Sequence, residues 1–177
     1  ENSKMIRSQS YESIIGGSDS FTLIGPSGVG KSSAVSRVVN ILAESPVLEI
    51  NNSKVIPCLQ VQAPADSSIK GLLLEILRKA DEVLETKYHE NAIRSHSTMD
   101  MLIGTVSQVA LNHIGLLIVD EIQNVVSSKN GKNIVGALTQ LINNSGVSIA
   151  MVGTPECTIF FEQAFMLARR SLGLNFS

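Results

Sequence analysis

The sequence lacks any apolar run that is long enough to cross a bilayer. Its apolar runs, such as residues 116–119, have the length of a strand, far short of the roughly 20 residues of a membrane-spanning helix. The first residues, Glu1 to Lys4, contain no apolar segment of a secretory signal. The chain also does not begin with Met, which is typical of a piece of a longer protein. We therefore expect a cytoplasmic protein with no membrane partner.

Cysteine and net charge are both scarce. The two cysteines, Cys58 and Cys157, have apolar neighbours and belong to no CxxC or Cys/His cluster, which favours buried free thiols in a reducing compartment. Sixteen acidic and fourteen basic side chains give a net charge of −2. This balance excludes a domain that binds nucleic acid through bulk positive charge, although it leaves a local basic patch open.

The sequence does have the apolar content of a folded domain. Its length of 177 residues fits one domain, and 44% hydrophobic residues exclude intrinsic disorder. Four apolar runs rich in β-branched residues predict strands at residues 21–24, 55–61, 116–119 and 148–152. Because these runs are continuous rather than alternating, they favour a parallel sheet that is covered on both faces.

Helical periodicity fills the segments between these runs. It predicts helices at residues 32–43, 68–84, 98–111, 133–142 and 156–168, the second capped by Ser67 or Ser68. Strand–helix alternation predicts an α/β fold, a layered αβα sandwich with right-handed crossovers and a parallel sheet of about five strands. The fifth strand is expected at residues 172–176, and surface loops at residues 49–54, 87–97 and 127–132. Residues 1–20 form an N-terminal segment before a core of residues 21–177.

A phosphate-binding loop is the strongest motif of the sequence. Residues 25–32 read Gly-Pro-Ser-Gly-Val-Gly-Lys-Ser and match G-x-x-x-x-G-K-[ST] between a predicted strand and a predicted helix. The glycines let backbone N–H groups turn inward around an anion, and the helix start adds its positive dipole end. Lys31 can reach the β- and γ-phosphates, while the Ser32 hydroxyl can bind Mg²⁺. The residues expected to contact the nucleotide are Gly25, Pro26, Ser27, Gly28, Val29, Gly30, Lys31, Ser32 and Ser33.

A pair of carboxylates follows the third apolar run. Asp120 ends this strand and suits a Mg²⁺ ligand, and Glu121 suits a group that orients the water attacking the γ-phosphate. The alternative is an acidic cap on the next helix. Together with the phosphate loop, the pair predicts nucleoside triphosphate binding, and Glu121 indicates hydrolysis as well.

Thr154 lies just after the fourth apolar run, within Gly153-Thr154-Pro155. In folds of this kind, the strand that follows the Asp-Glu strand lies next to the phosphate loop. The Thr154 hydroxyl is then either a sensor of the γ-phosphate or the attacking water, or part of a simple turn before proline.

Four short segments carry a resemblance to a known family. They are the phosphate loop, Leu-Ile-Val-Asp-Glu-Ile-Gln at 117–123, Val-Gly-Thr-Pro-Glu at 152–156 and Leu-Ala-Arg-Arg at 167–170. Together they resemble the TnsC/TniB group of AAA+ ATPase regulators of transposons, related more distantly to the Mu transposition protein MuB. The resemblance covers residues 21–176. Its second and third segments are the more specific, because generic AAA+ proteins vary there.

The resemblance implies an ATPase with ATP and Mg²⁺ as cofactors. It implies a homo-oligomeric ring or filament on double-stranded DNA that passes information from a target-selector protein to the transposase. By matching positions it makes Lys31 and Ser32 ligands of nucleotide and Mg²⁺, Asp120 and Glu121 the Walker B pair, and Thr154 the first sensor. Arg169 or Arg170 is the candidate arginine finger, the alternative being that both cap a helix C-terminus.

The sequence departs from the AAA+ pattern at both ends. We expect an AAA+ core of the P-loop NTPase fold in which the helical lid that normally follows the core is missing or truncated. The upstream segment that usually contacts adenine is short, with only Tyr11, Ile14 and Ile15 available.

DNA contacts are assigned to scattered polar residues. The candidates are Lys70, Lys87, Arg94 and Thr98, with Ser97, Lys129 and Lys132 beside them. An oligomer would repeat each contact in every subunit, so modest basicity would suffice. The alternative for each is an ordinary solvated side chain.

Two alternative functions also exist for the whole protein. It is either another AAA+ or STAND-type NTPase, acting on protein partners or as a replication loader, or an assembly scaffold with little hydrolysis.

Overall fold

The fold is organised around one five-stranded sheet in a computed structural model that describes residues 21–42, 45–65, 68–126 and 131–159. The strands are β1 (Phe21–Ile24), β2 (Leu48–Ile50), β3 (Ser53–Gln62), β4 (Ile114–Asp120) and β5 (Ser148–Gly153). They lie in the order β1-β5-β4-β3-β2. The first four in this order are parallel, and β2 is antiparallel to β3. The strand that follows β4 in the chain thus lies beside β1, as the sequence predicts.

Helices connect the strands and cover both faces of the sheet. They are α1 (Lys31–Leu42), α2 (Ile69–Leu84), α3 (Tyr88–Arg94), α4 (Met99–His113), α5 (Gln123–Val126), α6 (Gly131–Ser145) and a 3₁₀ turn at Pro155–Cys157. Two of them begin at polar caps: Ser68 is one of the two caps that the sequence predicts, whereas the sequence predicts Thr98 as the first residue of its helix. The Gly71 N–H donates to Ser68 Oγ at 2.9 Å, and the Met101 N–H donates to Thr98 Oγ1 at 3.4 Å.

The two faces of the sheet are packed unequally. On one face, α2, α4 and α6 bury a large apolar core against β3, β4 and β5, in which Ile76, Leu102 and Leu141 are fully buried. On the other face, Val35 and Val39 of α1 pack on a small cluster of Ile118, Ala150 and Val152. Alternate residues of β4 and β5 point to opposite faces, so both strands are apolar on both sides. This arrangement confirms the predicted αβα sandwich.

The prediction of a loop at residues 49–54 is wrong. Leu48–Ile50 and the start of β3 form an antiparallel hairpin in which Ile50 pairs with Ser53. Its two turn residues, Asn51 and Asn52, have φ values of 51° and 62°. A two-residue hairpin turn of type I′ needs positive φ at both positions, and asparagine tolerates this conformation better than most residues. Among the described strands, β2 is thereby the fifth member of the sheet and the one that runs antiparallel to its neighbour.

The prediction of a loop at residues 87–97 is also wrong, since α3 occupies most of it. Asp81 of α2 accepts hydrogen bonds from the N–H groups of Tyr88 at 3.0 Å and His89 at 2.8 Å. These are orphan donors of the first helical turn. Capping by a side chain of another helix thus stabilises a polar segment that has no apolar periodicity of its own.

Some predicted elements lie outside the described residues: the strand at 172–176, most of the helix at 156–168, and residues 127–130 of the third predicted loop. The helix predicted at residues 133–142 is present with longer bounds, as α6. In the described ranges, no helix combines the length and apolar character that a bilayer crossing requires.

Candidate functional site

The predicted site segments converge at the edge of the sheet where the parallel strands end. The Gly25 N–H, just after β1, donates to the Gly153 carbonyl at the end of β5 at 3.2 Å. The Ile122 N–H, two residues after β4, donates to the Val152 carbonyl at 3.1 Å. The end of β5 is therefore hydrogen-bonded on one side to the phosphate loop and on the other to the Asp-Glu segment.

The phosphate loop has the backbone that anion binding needs. Gly28 and Gly30 have φ values of +81° and +84°, a region that side-chain-bearing residues rarely adopt. Helix α1 begins directly after, at Lys31, and the Ala34 N–H donates to the Gly30 carbonyl at 2.9 Å. The N–H groups of the first helical turn have no intrahelical acceptor, and they lie at the positive end of the helix dipole. A phosphate group is the kind of ligand that satisfies both.

Lys31 lies folded over the loop that precedes it. Its Nζ donates to the carbonyl oxygens of Gly25 and Pro26, each at 2.7 Å. The ammonium is thereby held at the loop, and phosphate oxygens would compete with two neutral carbonyls for it. Ser32 is half-buried at the helix start and Ser33 is exposed.

Asp120 is a buried carboxylate with an unused oxygen. The residue is 1% exposed, and its Oδ1 accepts the Glu121 N–H at 2.8 Å. Its Oδ2 is buried and has no hydrogen-bond partner within the described residues. Burying a carboxylate oxygen without a partner costs free energy, so Oδ2 suits an atom that binds a cation or one of its water ligands.

The donor set also suits the type of cation that the sequence implies. The described residues hold no group of three or more His, Cys, Asp or Glu side chains that could form a protein cage for a metal. Mg²⁺ keeps several waters and commonly takes one or two protein ligands together with substrate phosphates. Ser32 and Asp120 are the residues that would hold it.

Glu121 follows Asp120 in an unusual backbone conformation, with a φ of 55°. This left-handed conformation turns the chain sharply at the end of β4. The half-buried side chain accepts a hydrogen bond at Oε2 from the Nε2 of Gln123, which begins α5. The carboxylate is thus held by a side-chain amide two residues further along the chain.

Thr154 opens the 3₁₀ turn that follows β5. Its carbonyl accepts the Cys157 N–H at 3.0 Å, and its hydroxyl donates to the Glu156 carboxylate. The turn-forming role predicted as one alternative is therefore present. A sensor role would require the hydroxyl to exchange Glu156 for a phosphate oxygen or a water.

Gly153 lies where three segments approach one another closely. A Cβ on this residue would lie 2.8 Å from Ile122 Cγ2, 3.3 Å from Cys157 Sγ and 3.4 Å from Gln123 Oε1.

Burial raises the pKa of the Cys157 thiol and also that of the half-buried Cys58. Both cysteines are free thiols, as predicted.

The comparison with known families agrees with this geometry. A family model for the AAA domain matches residues 15–159 of the chain. The chain belongs to the AAA domain family. This membership confirms the prediction of an AAA-type P-loop ATPase domain, a class that binds nucleotide together with a divalent metal. No curated protein matches the chain.

The predicted DNA contacts of this AAA domain lie on α2, on α3 and at the start of α4. Lys70 lies at the start of α2 and Lys87 beyond its end, and a helix of 16 residues is about 24 Å long. Arg94 forms an ion pair with Glu90, and Thr98 caps α4. The described ranges exclude Lys129, the side chain of Lys132, and the two candidate arginine fingers, Arg169 and Arg170.

Three residues of the AAA domain contribute contacts that sequence reasoning did not assign. Gln123 donates a hydrogen bond to Glu121, and Gly153 leaves space for the Gln123 amide because it has no side chain. Asn124 Nδ2 donates to the carbonyl of Ala63, just after β3, at 3.1 Å. The available signal was the position of Gln123 in the run Asp-Glu-Ile-Gln. The contacts of Gly153 and Asn124 join segments that are distant in sequence and leave no local signal.

Proposed function

We propose that this AAA domain binds ATP with Mg²⁺ and hydrolyses it at the carboxyl edge of β1, β4 and β5. The observation that carries the proposal is the pair of backbone hydrogen bonds joining the phosphate loop and the Asp-Glu segment to the end of β5. Through this strand, an anion-binding loop and a carboxylate pair are placed on one edge.

Each group has a chemical role in this reaction. The loop N–H groups and the Lys31 ammonium bind the phosphates, while Ser32 and Asp120 hold the metal. When bound, Mg²⁺ neutralises charge on the phosphate oxygens. Glu121 orients the attacking water by accepting a hydrogen bond from it. Thr154 contacts the γ-phosphate or this water once its hydroxyl leaves Glu156.

The test compares Lys31→Ala and Glu121→Gln with a matched surface variant, Lys79→Ala. Lys31→Ala should lose binding of a fluorescent ATP analogue, because the cation at the loop is gone. Glu121→Gln should keep binding and lose roughly 100-fold or more in turnover. Lys79 forms an exposed ion pair with Glu82, so its replacement should change neither quantity. Unchanged affinity in Lys31→Ala would refute the assignment of the phosphate loop.

We further propose that the protein is a regulator of DNA transposition of the TnsC/TniB kind. It would assemble as a homo-oligomer on double-stranded DNA and link a target-selector protein to the transposase. The support is the resemblance of residues 117–123 and 152–156 to that family. Arg169 or Arg170 would complete the nucleotide site of a neighbouring subunit in trans.

Imaging with double-stranded DNA and a non-hydrolysable ATP analogue tests this finer proposal. Regular rings or filaments on the DNA, together with ATPase activity that responds to DNA, are the expected result. An ATPase that ignores DNA would instead favour an NTPase acting on protein partners. Assembly by a wild-type chain without turnover would favour a scaffold.

Mixing variants tests the arginine finger. One single Arg→Ala variant should bind ATP normally and fail to assemble or hydrolyse, and mixing it with Lys31→Ala should restore some activity, because each supplies the half-site that the other lacks. Normal assembly by both arginine variants without rescue would leave the helix-cap alternative.

A further inference from the structure

The side-chain amide of Gln123 lies between the Glu121 carboxylate and the end of β5. Its Nε2 donates to Glu121 Oε2. Its Oε1 is buried and lies 3.4 Å from the point that a Cβ of Gly153 would occupy. One end of this planar amide therefore contacts the carboxylate of the Asp-Glu segment, and the other lies beside the end of the strand that anchors the phosphate loop.

The backbone around Gln123 is fixed on both sides. The Ile122 N–H donates to the Val152 carbonyl at 3.1 Å, which attaches the preceding residue to β5. The Asn124 side chain donates to the Ala63 carbonyl at 3.1 Å, which attaches the following residue to the segment after β3. A side chain that starts from such a fixed point has few positions available, so Gln123 can hold its partner in a defined place.

Glu121 needs this support because its own side chain is long. A glutamate loses up to about 2 kcal/mol of rotamer entropy when it is ordered. The hydrogen bond from Gln123 offsets part of that cost before any substrate arrives. A carboxylate has about four acceptor positions on its two oxygens, so one bond at Oε2 leaves the others for water.

We propose that Gln123 is a positioning residue for hydrolysis, holding the Glu121 carboxylate where it orients the attacking water. This inference rests on the proposed ATPase activity. It also gives the small size of Gly153 a functional reason, since a side chain there would press on the Gln123 amide and on Ile122.

The test replaces Gln123 with methionine, which keeps the length of the side chain and removes the amide donor. The kcat of Gln123→Met should fall roughly 10- to 100-fold, since a misplacement of about 1 Å can cost about 100-fold in rate. The KM, the affinity for a fluorescent ATP analogue and the melting temperature should stay unchanged. Gln140→Met, at an exposed position of α6, is the matched control and should behave as the wild type.

A double mutant distinguishes positioning of Glu121 from a general structural effect. In single-turnover measurements, Gln123→Met should cost little on the background of Glu121→Gln, because the group that it positions is already gone. Gln123→Asn keeps the amide but is one methylene shorter, so its kcat should also fall, and it serves if the methionine variant is unstable.

Three outcomes separate this inference from the proposed function. Wild-type turnover by Gln123→Met and Gln123→Asn overturns the positioning role. An equal loss from Gln123→Met on both backgrounds also overturns it, because the effect would then not pass through Glu121. Wild-type turnover by Glu121→Gln contradicts the role of Glu121 in the proposed hydrolysis itself, whatever Gln123 does.

Discussion

Asp120 combines complete burial with an oxygen that no described donor satisfies. Asp120→Asn removes the charge and keeps an oxygen for the Glu121 N–H. Wild-type affinity for the ATP analogue should rise when Mg²⁺ replaces EDTA, and the affinity of the variant should not. The melting temperature without nucleotide should not fall, because a buried charge is costly. A variant that still responds to Mg²⁺ would show that Asp120 is not a metal ligand.

An added methyl group at Gly153 would clash with a neighbouring side chain of the site. A Cβ only 2.8 Å from Ile122 Cγ2 forces Ile122 to move, so Gly153→Ala should cost roughly 1–3 kcal/mol in free energy of unfolding. ATP hydrolysis should fall as well, because Glu121 and Gln123 are the two chain neighbours of Ile122. Urea denaturation and turnover assays measure the two effects.

Gly136→Ala is the matched control for this substitution. Gly136 lies within α6, its Cβ would meet nothing within 4 Å, and its φ is not positive. Alanine there should raise the free energy of unfolding by up to about 1 kcal/mol, because it favours the helix. If the two glycine variants changed the free energy of unfolding in the same way, the crowding around Gly153 would not affect stability.

At the residue scale, the sequence predicts the groups that react and misses the groups that hold them. Lys31, Asp120 and Glu121 lie in local patterns whose spacing reflects a strand, a loop and a helix start. Gln123 holds Glu121 from two residues away, at a position that the run Asp-Glu-Ile-Gln marks but whose role it does not state. Gly153 acts through a contact between the ends of β4 and β5, which are separated in the chain by α5 and α6. Side-chain packing between distant segments leaves no periodic signal.

The pairing of α2 with α3 depends on one side chain. Asp81 accepts the N–H groups of Tyr88 and His89 and the hydroxyl of Thr86, the last at 2.6 Å. Asp81→Ala should lower the free energy of unfolding by roughly 1–2 kcal/mol, because α3 loses its cap. Glu82→Ala, which removes exposed ion pairs with Arg78 and Lys79, should cost less. Urea denaturation compares the two, and equal losses would contradict the capping role.

At the element scale, prediction succeeded where apolar periodicity was strong and failed where it was weak. The helices α2 and α4 carry regular apolar faces, and their predicted and observed starts agree to within a residue or two. By contrast, α3 buries only Ala92 and is otherwise polar or exposed. The strand β2 has three residues and depends on the Asn51-Asn52 turn. Both elements depend on a tertiary contact or on a turn type.

For the whole molecule, the unequal faces of the sheet predict unequal protection of the backbone. None of the described side chains of α1 is buried, whereas six residues of α4 are. The amides of α1 should therefore exchange with deuterium faster than those of α4, because opening α1 exposes less apolar surface. ATP with Mg²⁺ should slow exchange at the start of α1, which lies at the proposed phosphates. Hydrogen exchange with and without nucleotide measures both effects. An exchange rate at the start of α1 that does not change when nucleotide is added would contradict the predicted slowing.

The sheet order also sets the sequence of events during folding. Among the described strands β1 pairs only with β5, and Phe21 pairs with Ala150, so nearly all of the described chain lies between the partners. Pairing of such distant segments is slow, because the entropy of closing a long loop is lost before any stabilising contact forms. On the ribosome, the phosphate loop is therefore synthesised early and acquires its anchor on Gly153 last. We expect a nascent chain that ends before Ser148 to contain the complete loop sequence and bind no nucleotide, so that nucleotide binding reports the completion of folding.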